Sequence, residues 1–180
     1  MPLTEVILVD EADRPTGVME KQEAHEKGLL HRAITVYVFN SRQQLLLQQR
    51  ALDKYHSGGL WSNTCCSHHA PGEKRRKPAS SVVSGNGLRC PLTPIFTLTY
   101  RLALENGLTK HEVGHVYFGV TDDIPQVSPE EVADYEYLLL EQIGHNMETS
   151  PERFTAWFRL IFSRIPAYWR QFQLKHAGRE

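Results

Sequence analysis

Trp61-Ser-Asn-Thr-Cys-Cys-Ser-His-His-Ala-Pro-Gly-Glu73 gathers two thiols, two imidazoles and a carboxylate into one short segment that closes on a Pro-Gly turn. Thiolate nucleophiles, acid–base groups and metal ligands are drawn from this same set of side chains. What the flanking segments bring to it decides among these uses. On its N-terminal side, Ile34-Thr-Val-Tyr-Val-Phe39 is a β-branched and aromatic run. Asn40-Ser-Arg-Gln43 turns it into Leu45-Leu-Leu-Gln-Gln49, a hairpin signature. On the C-terminal side, Pro94–Leu104 and His111–Val120 flank Glu105-Asn-Gly107, a second and longer hairpin about an Asn-Gly turn.

Further out, Val6–Val9 reads as a short buried strand before the turn-rich Asp10–Gly17. Val18–Gly28 is polar, a short helix or loop carrying Lys21 and His25. Val132–Leu138 suits another strand. Ser150-Pro-Glu is read as an N-cap with proline at the first helical position. Phe154, Trp157, Phe158 and Ile161 then recur at helical spacing until Pro166 kinks or interrupts the run. The expectation is an α+β fold: a mixed sheet with helices near both ends.

A chain of 180 residues suits one domain over residues 1–180. Its formal net charge of −1 gives no field to recruit nucleic acid or an anionic membrane. No stretch approaches the ~20 apolar residues of a membrane helix, and Met1-Pro-Leu-Thr-Glu5 has no signal-peptide character. Three cysteines, two of them adjacent, disfavour a disulfide framework. A reduced, cytoplasmic protein is expected.

Two motifs mislead. His111-Glu-Val-Gly-His115 matches the zinc-protease pattern, but that pattern works only on a helix, where both histidines share a face. Gly114 and the following Val116-Tyr-Phe-Gly-Val120 make the segment a strand, in which the histidines would lie about 13 Å apart at ~3.3 Å per residue. The strand reading turns Glu112 to the face opposite both histidines. Cys65 and Cys66 lack the spacing that brings two sulfurs to one zinc, and in an extended segment only one of them faces the site.

His25, His31, His68 and Glu112 come from three segments that can converge on one metal. At these residues the chain resembles the type 1 isopentenyl-diphosphate Δ-isomerases of the Nudix superfamily. The match lies in His25 to His31-Arg-Ala33, Gln49-Arg-Ala-Leu-Asp-Lys54, Gly59-Leu-Trp-Ser-Asn-Thr-Cys-Cys-Ser-His68, Tyr100-Arg101, Glu112 and Phe154-Thr-Ala-Trp157. It runs from about residue 3 to residue 165, with one gap.

The resemblance implies a Nudix-type α/β/α sandwich with an extra N-terminal strand and helix and C-terminal helices. The implied reaction is the reversible allylic shift between isopentenyl and dimethylallyl diphosphate, through a tertiary carbocation, in isoprenoid biosynthesis. Cys66 and Glu112 would transfer protons on opposite faces of a dry pocket, with Tyr100 assisting. Trp157 would face the cation. His25, His31, His68 and Glu112 would bind Mn²⁺ or Mg²⁺, and Lys21, Arg50 and Lys54 would grip a diphosphate carrying its own Mg²⁺. The implied partner is a small prenyl diphosphate, with no nucleic acid or membrane, for a monomer or weak homodimer.

Two departures stand against this pattern. Where the family has a second metal-binding glutamate, this chain has Lys110. Where the family has an acidic helix, residues 74–87 read Lys-Arg-Arg-Lys-Pro-Ala-Ser-Ser-Val-Val-Ser-Gly-Asn-Gly. Taking the third base of each codon with the first two of the next, Arg75–Pro78 can encode Glu-Glu-Ala and Ser81–Asn86 can encode Arg-Arg-Leu-Arg-Glu. A local frameshift over residues 74–86 would account for the gap. Two alternatives to the isomerase are a Nudix diphosphate hydrolase and a catalytically impaired Nudix-fold protein that binds prenyl diphosphates.

Overall fold

Alternation of large apolar side chains across two sheet faces organises the molecule. The computed structural model describes residues 4–68, 80–83 and 88–176; the substituted helix and frameshift readings fall largely outside these. The described strands are β1 (Glu5–Val9), β2 (Pro15–Glu20), β3 (His31–Phe39), β4 (Gln44–Arg50), β5 (Trp61–Ser62), β6 (Cys65–Ser67), β7 (Ser80–Val83), β8 (Leu88–Ala103), β9 (Thr109–Val120) and β10 (Val132–Leu139). Helix α1 is Lys21–Lys27, and α2 (Leu140–Thr149), α3 (Ala156–Phe162) and α4 (Ile165–His176) close the chain.

The main sheet runs β10-β4-β3-β9-β8-β7, with β3 and β9 parallel and the other neighbours antiparallel. Along β3, Tyr37 and Phe39 enter the core that α3 and α4 cover with Trp157, Phe158, Ile161, Ile165 and Trp169. Val36 and Val38 point to the other face, against Leu46, Cys65, Leu88 and Cys90. Leu45 and Leu47 likewise part from Leu46. That period of two explains why both runs are apolar throughout: each face of the central strands is buried.

The opening segment has a structural task in this sheet. Strands β3 and β4 pair directly only at Phe39 and Leu45. Beyond that point β6 pairs with β3 and β5 with β4, so the segment wedges the two strands apart. Thr64 bridges the opening, accepting from Val38 N at 2.9 Å and donating to the Leu46 carbonyl at 2.6 Å. Asn63 donates to the carbonyls of Val36 and Cys65 at 3.1 and 2.8 Å. Backbone groups that would be orphaned by the split are thereby satisfied.

Several expectations are corrected. Val18–Glu20 belongs to β2, and the helix begins only at Lys21. Helix α2 was not anticipated, and Ser150-Pro-Glu leads into a single 3₁₀ turn with no side-chain cap. Thr155 is the N-cap of α3, accepting from Phe158 N at 3.3 Å. Pro166 does divide the C-terminal run, lying in the first turn of α4 where its missing N–H costs nothing. No described helix is long and apolar enough to cross a membrane.

Candidate active site

Helix α1 starts on a charged cap: the Glu20 carboxylate accepts from the amides of Gln22 and Glu23. It stops at Gly28, whose φ of 66° is left-handed. One turn in, His25 is fully buried and its Nδ1 donates to the Lys21 carbonyl at 2.8 Å. His31, at the start of β3, donates from Nδ1 to the Leu29 carbonyl at 3.0 Å. These backbone bonds fix each ring's orientation and leave Nε2 facing inward, the arrangement that prepares an imidazole as a ligand.

Glu112 enters from β9 opposite His31, the two being register partners in the parallel pair. Its Oε2 lies 2.9 Å from His31 Nε2, 3.6 Å from His68 Nε2 and 4.0 Å from His25 Nε2. His25, His31 and Glu112 bring ligand atoms within 4.8 Å of one another. Burial pushes the imidazoliums of His25 and His68 down to about 4, so both rings are neutral near pH 7. Their Nε2 atoms are buried and have no hydrogen-bond partner. His31 Nε2 is instead hydrogen-bonded to Glu112 Oε2 at 2.9 Å. Inward lone pairs around a carboxylate fit a divalent cation well.

The second carboxylate oxygen faces different company. Tyr100 donates to Glu112 Oε1 at 2.7 Å, and Lys110 Nζ stands 3.8 Å away. Burial alone would raise the Glu112 carboxyl; the Lys110 charge and the His31 and His68 contacts outweigh it and hold the group well below the usual range. Burial, then the Glu112 charge, drives the Tyr100 phenol well above its ordinary value. Gly114 makes room for this tyrosine, since a Cβ there would meet the ring at 3.3 Å.

Trp157 is fully buried on α3, positioned by the Thr155 cap, which also shares a 3.0 Å hydrogen bond with Ser62 beside the opening segment. Its indole face carries Lys110 Nζ at 3.7 Å and the Arg50 guanidinium at 5.3 Å. Cys66 is half-buried, with Sγ 3.6 Å from Asn63 Oδ1. Lys21, Arg50, Lys54, Cys66, His68 and Lys110 line one cavity. Burial, then the Lys110, Lys54 and Arg50 charges, brings Lys21 down to about 8.

Three of the four expected metal ligands, His25, His31 and Glu112, thus converge, with His68 beside Glu112 but outside that group, and the three expected diphosphate cations share a cavity with Cys66. His111 and His115 instead face away from Glu112, contacting the Gly28 carbonyl at 3.1 Å and Asp13 at 2.8 Å, as a strand requires. Three residues were not picked out as parts of the site. His56 is buried, stacked on His25 at 5.5 Å and edge-on to Trp157 at 5.6 Å. Burial, then the surrounding cations, pushes it down to about 2. Glu131 pairs with Lys54 from across the cavity. Lys110 is noticeable in sequence only as a departure, and its seat on Trp157 depends on packing. The available sequence signal for His56 was its adjacency to the Gln49–Lys54 string.

No protein-family profile matches the chain. A Nudix hydrolase structure from Burkholderia pseudomallei aligns with a TM-score of 0.57 at 16% identity, covering 76% of this chain and 98% of its own. The mixed sheet and this likeness define a Nudix-fold protein. The isopentenyl-diphosphate Delta-isomerase of Pectobacterium atrosepticum is 69% identical over 178 residues, 98% of this chain and 99% of its own length. Isopentenyl-diphosphate Delta-isomerase 2 of Aromatoleum aromaticum is 41% identical over 162 residues, 89% of this chain and 86% of its own. The chain belongs to the isopentenyl-diphosphate Delta-isomerase family.

Proposed function

We propose that this protein interconverts isopentenyl and dimethylallyl diphosphate. One observation carries the reading: the Cys66 thiol shares a cavity with Lys21, Arg50, Lys54 and Lys110, and Lys110 reaches from it to the Glu112 carboxylate at 3.8 Å and the Trp157 face at 3.7 Å. In the forward direction the terminal alkene carbon takes a proton and becomes a methyl group. The tertiary cation then loses a proton from the carbon on the diphosphate side. Cys66 and Glu112 are the proton-transfer pair, and Tyr100, hydrogen-bonded to Glu112, adjusts the proton on that carboxylate.

The Trp157 face stabilises positive charge in a desolvated site. Lys21, Arg50 and Lys54 bind the diphosphate, whose charge would be shared with Mg²⁺. His25, His31, His68 and Glu112 would hold Mn²⁺ or Mg²⁺, which when bound supplies charge and fixes the carboxylate. The protein is read as acting in the cytoplasm on a small molecule, as a monomer or weak homodimer.

Isomerase assays with added Mg²⁺ and Mn²⁺ test the reading. Allylic isomerisation that Cys66→Ser abolishes is the expected result. Release of phosphate or pyrophosphate instead would identify a hydrolase, and tight binding of prenyl diphosphate without turnover a non-catalytic binder.

A further inference from the structure

We propose that Lys110 is a resident cation that competes with a divalent metal for Glu112, so that this site takes metal weakly. The proposal rests on the reading of His25, His31, His68 and Glu112 as a metal cluster. Lys110 lies two residues before Glu112 on β9, so both side chains leave the same face of the strand. The side chain of Lys110 is 6% exposed. An ammonium at that depth is costly unless paired. Its pairing is specific: Glu112 Oε1 at 3.8 Å and the Trp157 face at 3.7 Å, one anion and one electron-rich ring.

Glu112 is therefore approached from two sides. The three imidazoles surround Oε2, whereas Tyr100 and Lys110 hold Oε1. A divalent ion on the imidazole side would share the carboxylate with a full positive charge on the other oxygen. Like charges across one carboxylate repel strongly in a site sealed from water. The neighbourhood offers little relief, because Lys21 and Arg50 add further positive charge to the same cavity and Glu131 is engaged by Lys54. Lysine suits this task better than a fixed ligand: its four-carbon stem lets the ammonium move off Glu112 when a stronger cation arrives.

The test is calorimetric titration of chelator-treated protein with Mn²⁺, comparing wild type, Lys110→Met, Lys110→Gln and Lys110→Arg. Circular dichroism verifies the fold, and a His25→Ala/His31→Ala variant identifies the cluster as the site titrated. Removing the charge in either neutral variant is expected to tighten Mn²⁺ binding about tenfold or more. Lys110→Arg should remain near wild type, which a purely steric role would not predict. Mn²⁺ should also raise the melting temperature of the neutral variants more than that of wild type. Equal affinity in wild type and both neutral variants, abolished by the double histidine change, overturns the role of Lys110 and leaves the cluster standing. Absence of Mn²⁺ binding at the cluster in every variant overturns the cluster, and this proposal with it.

Discussion

Glu112 divides its two oxygens between two tasks, and most of the site's chemistry follows from that division. Oε2 looks into the imidazole cluster and Oε1 toward Tyr100 and Lys110. Tyr100→Phe removes the 2.7 Å hydrogen bond while preserving the ring. It is expected to lower kcat about a hundredfold with little change in KM, measured by steady-state isomerase kinetics. An unchanged kcat would remove Tyr100 from proton transfer. The types of residue needed here were readable in the sequence, and the family strings supplied their grouping. His56 was not readable as part of the site. Its place between His25 and Trp157 depends on how the loop after β4 packs on α1 and α3, and no local pattern encodes that packing.

Between β3 and β4, the opening segment replaces a ladder of backbone bonds with the side chains of Asn63 and Thr64. Those residues look like spacers in the sequence, yet they hold open the gap in which Cys66 and His68 are displayed. Thr155 links this wedge to α3 through Ser62 and caps the helix that carries Trp157. Thr155→Ala is expected to cost about 1–2 kcal/mol of stability, checked by thermal denaturation, with a loss of kcat as Trp157 shifts. The strands were legible because their runs alternate or are bounded by turns. Helix α2 was not: Leu138-Leu-Leu140 runs from strand into helix without a turn residue, and Gly144 lowers the helical signal. Its start is marked only by Gln142, whose side chain accepts from Leu139 N at 2.9 Å. For residues 74–86, sequencing the coding DNA across residues 70–90 is expected to reveal a shifted frame encoding Glu-Glu-Ala and Arg-Arg-Leu. A gene with no such frame would refute the frameshift.

Over the whole molecule the charge balance is nearly neutral, −1 in total, while one cavity gathers Lys21, Arg50, Lys54 and Lys110. Composition excluded a long-range field and could not show this local concentration. The crowding has a pH signature. Lys21 falls from an ordinary 10.5 to about 8 because burial and its neighbouring cations disfavour the ammonium. Its charge therefore costs stability in full below about 8, and the cost is relieved as pH rises toward 10.5. A bound anion needs the opposite state, so affinity for inorganic pyrophosphate should decline as pH rises past about 8. Calorimetry from pH 7 to 9.5 should show this decline in wild type and a flatter profile in Lys21→Met; a flat wild-type profile would contradict it. The isomerase reading itself is tested most directly by NMR of isopentenyl diphosphate incubated with the protein and Mg²⁺ in D₂O. The expected product is dimethylallyl diphosphate carrying deuterium in a methyl group, formed by wild type and absent with Cys66→Ser. Unlabelled substrate remaining intact, or inorganic phosphate or pyrophosphate appearing in its place, would contradict the assignment.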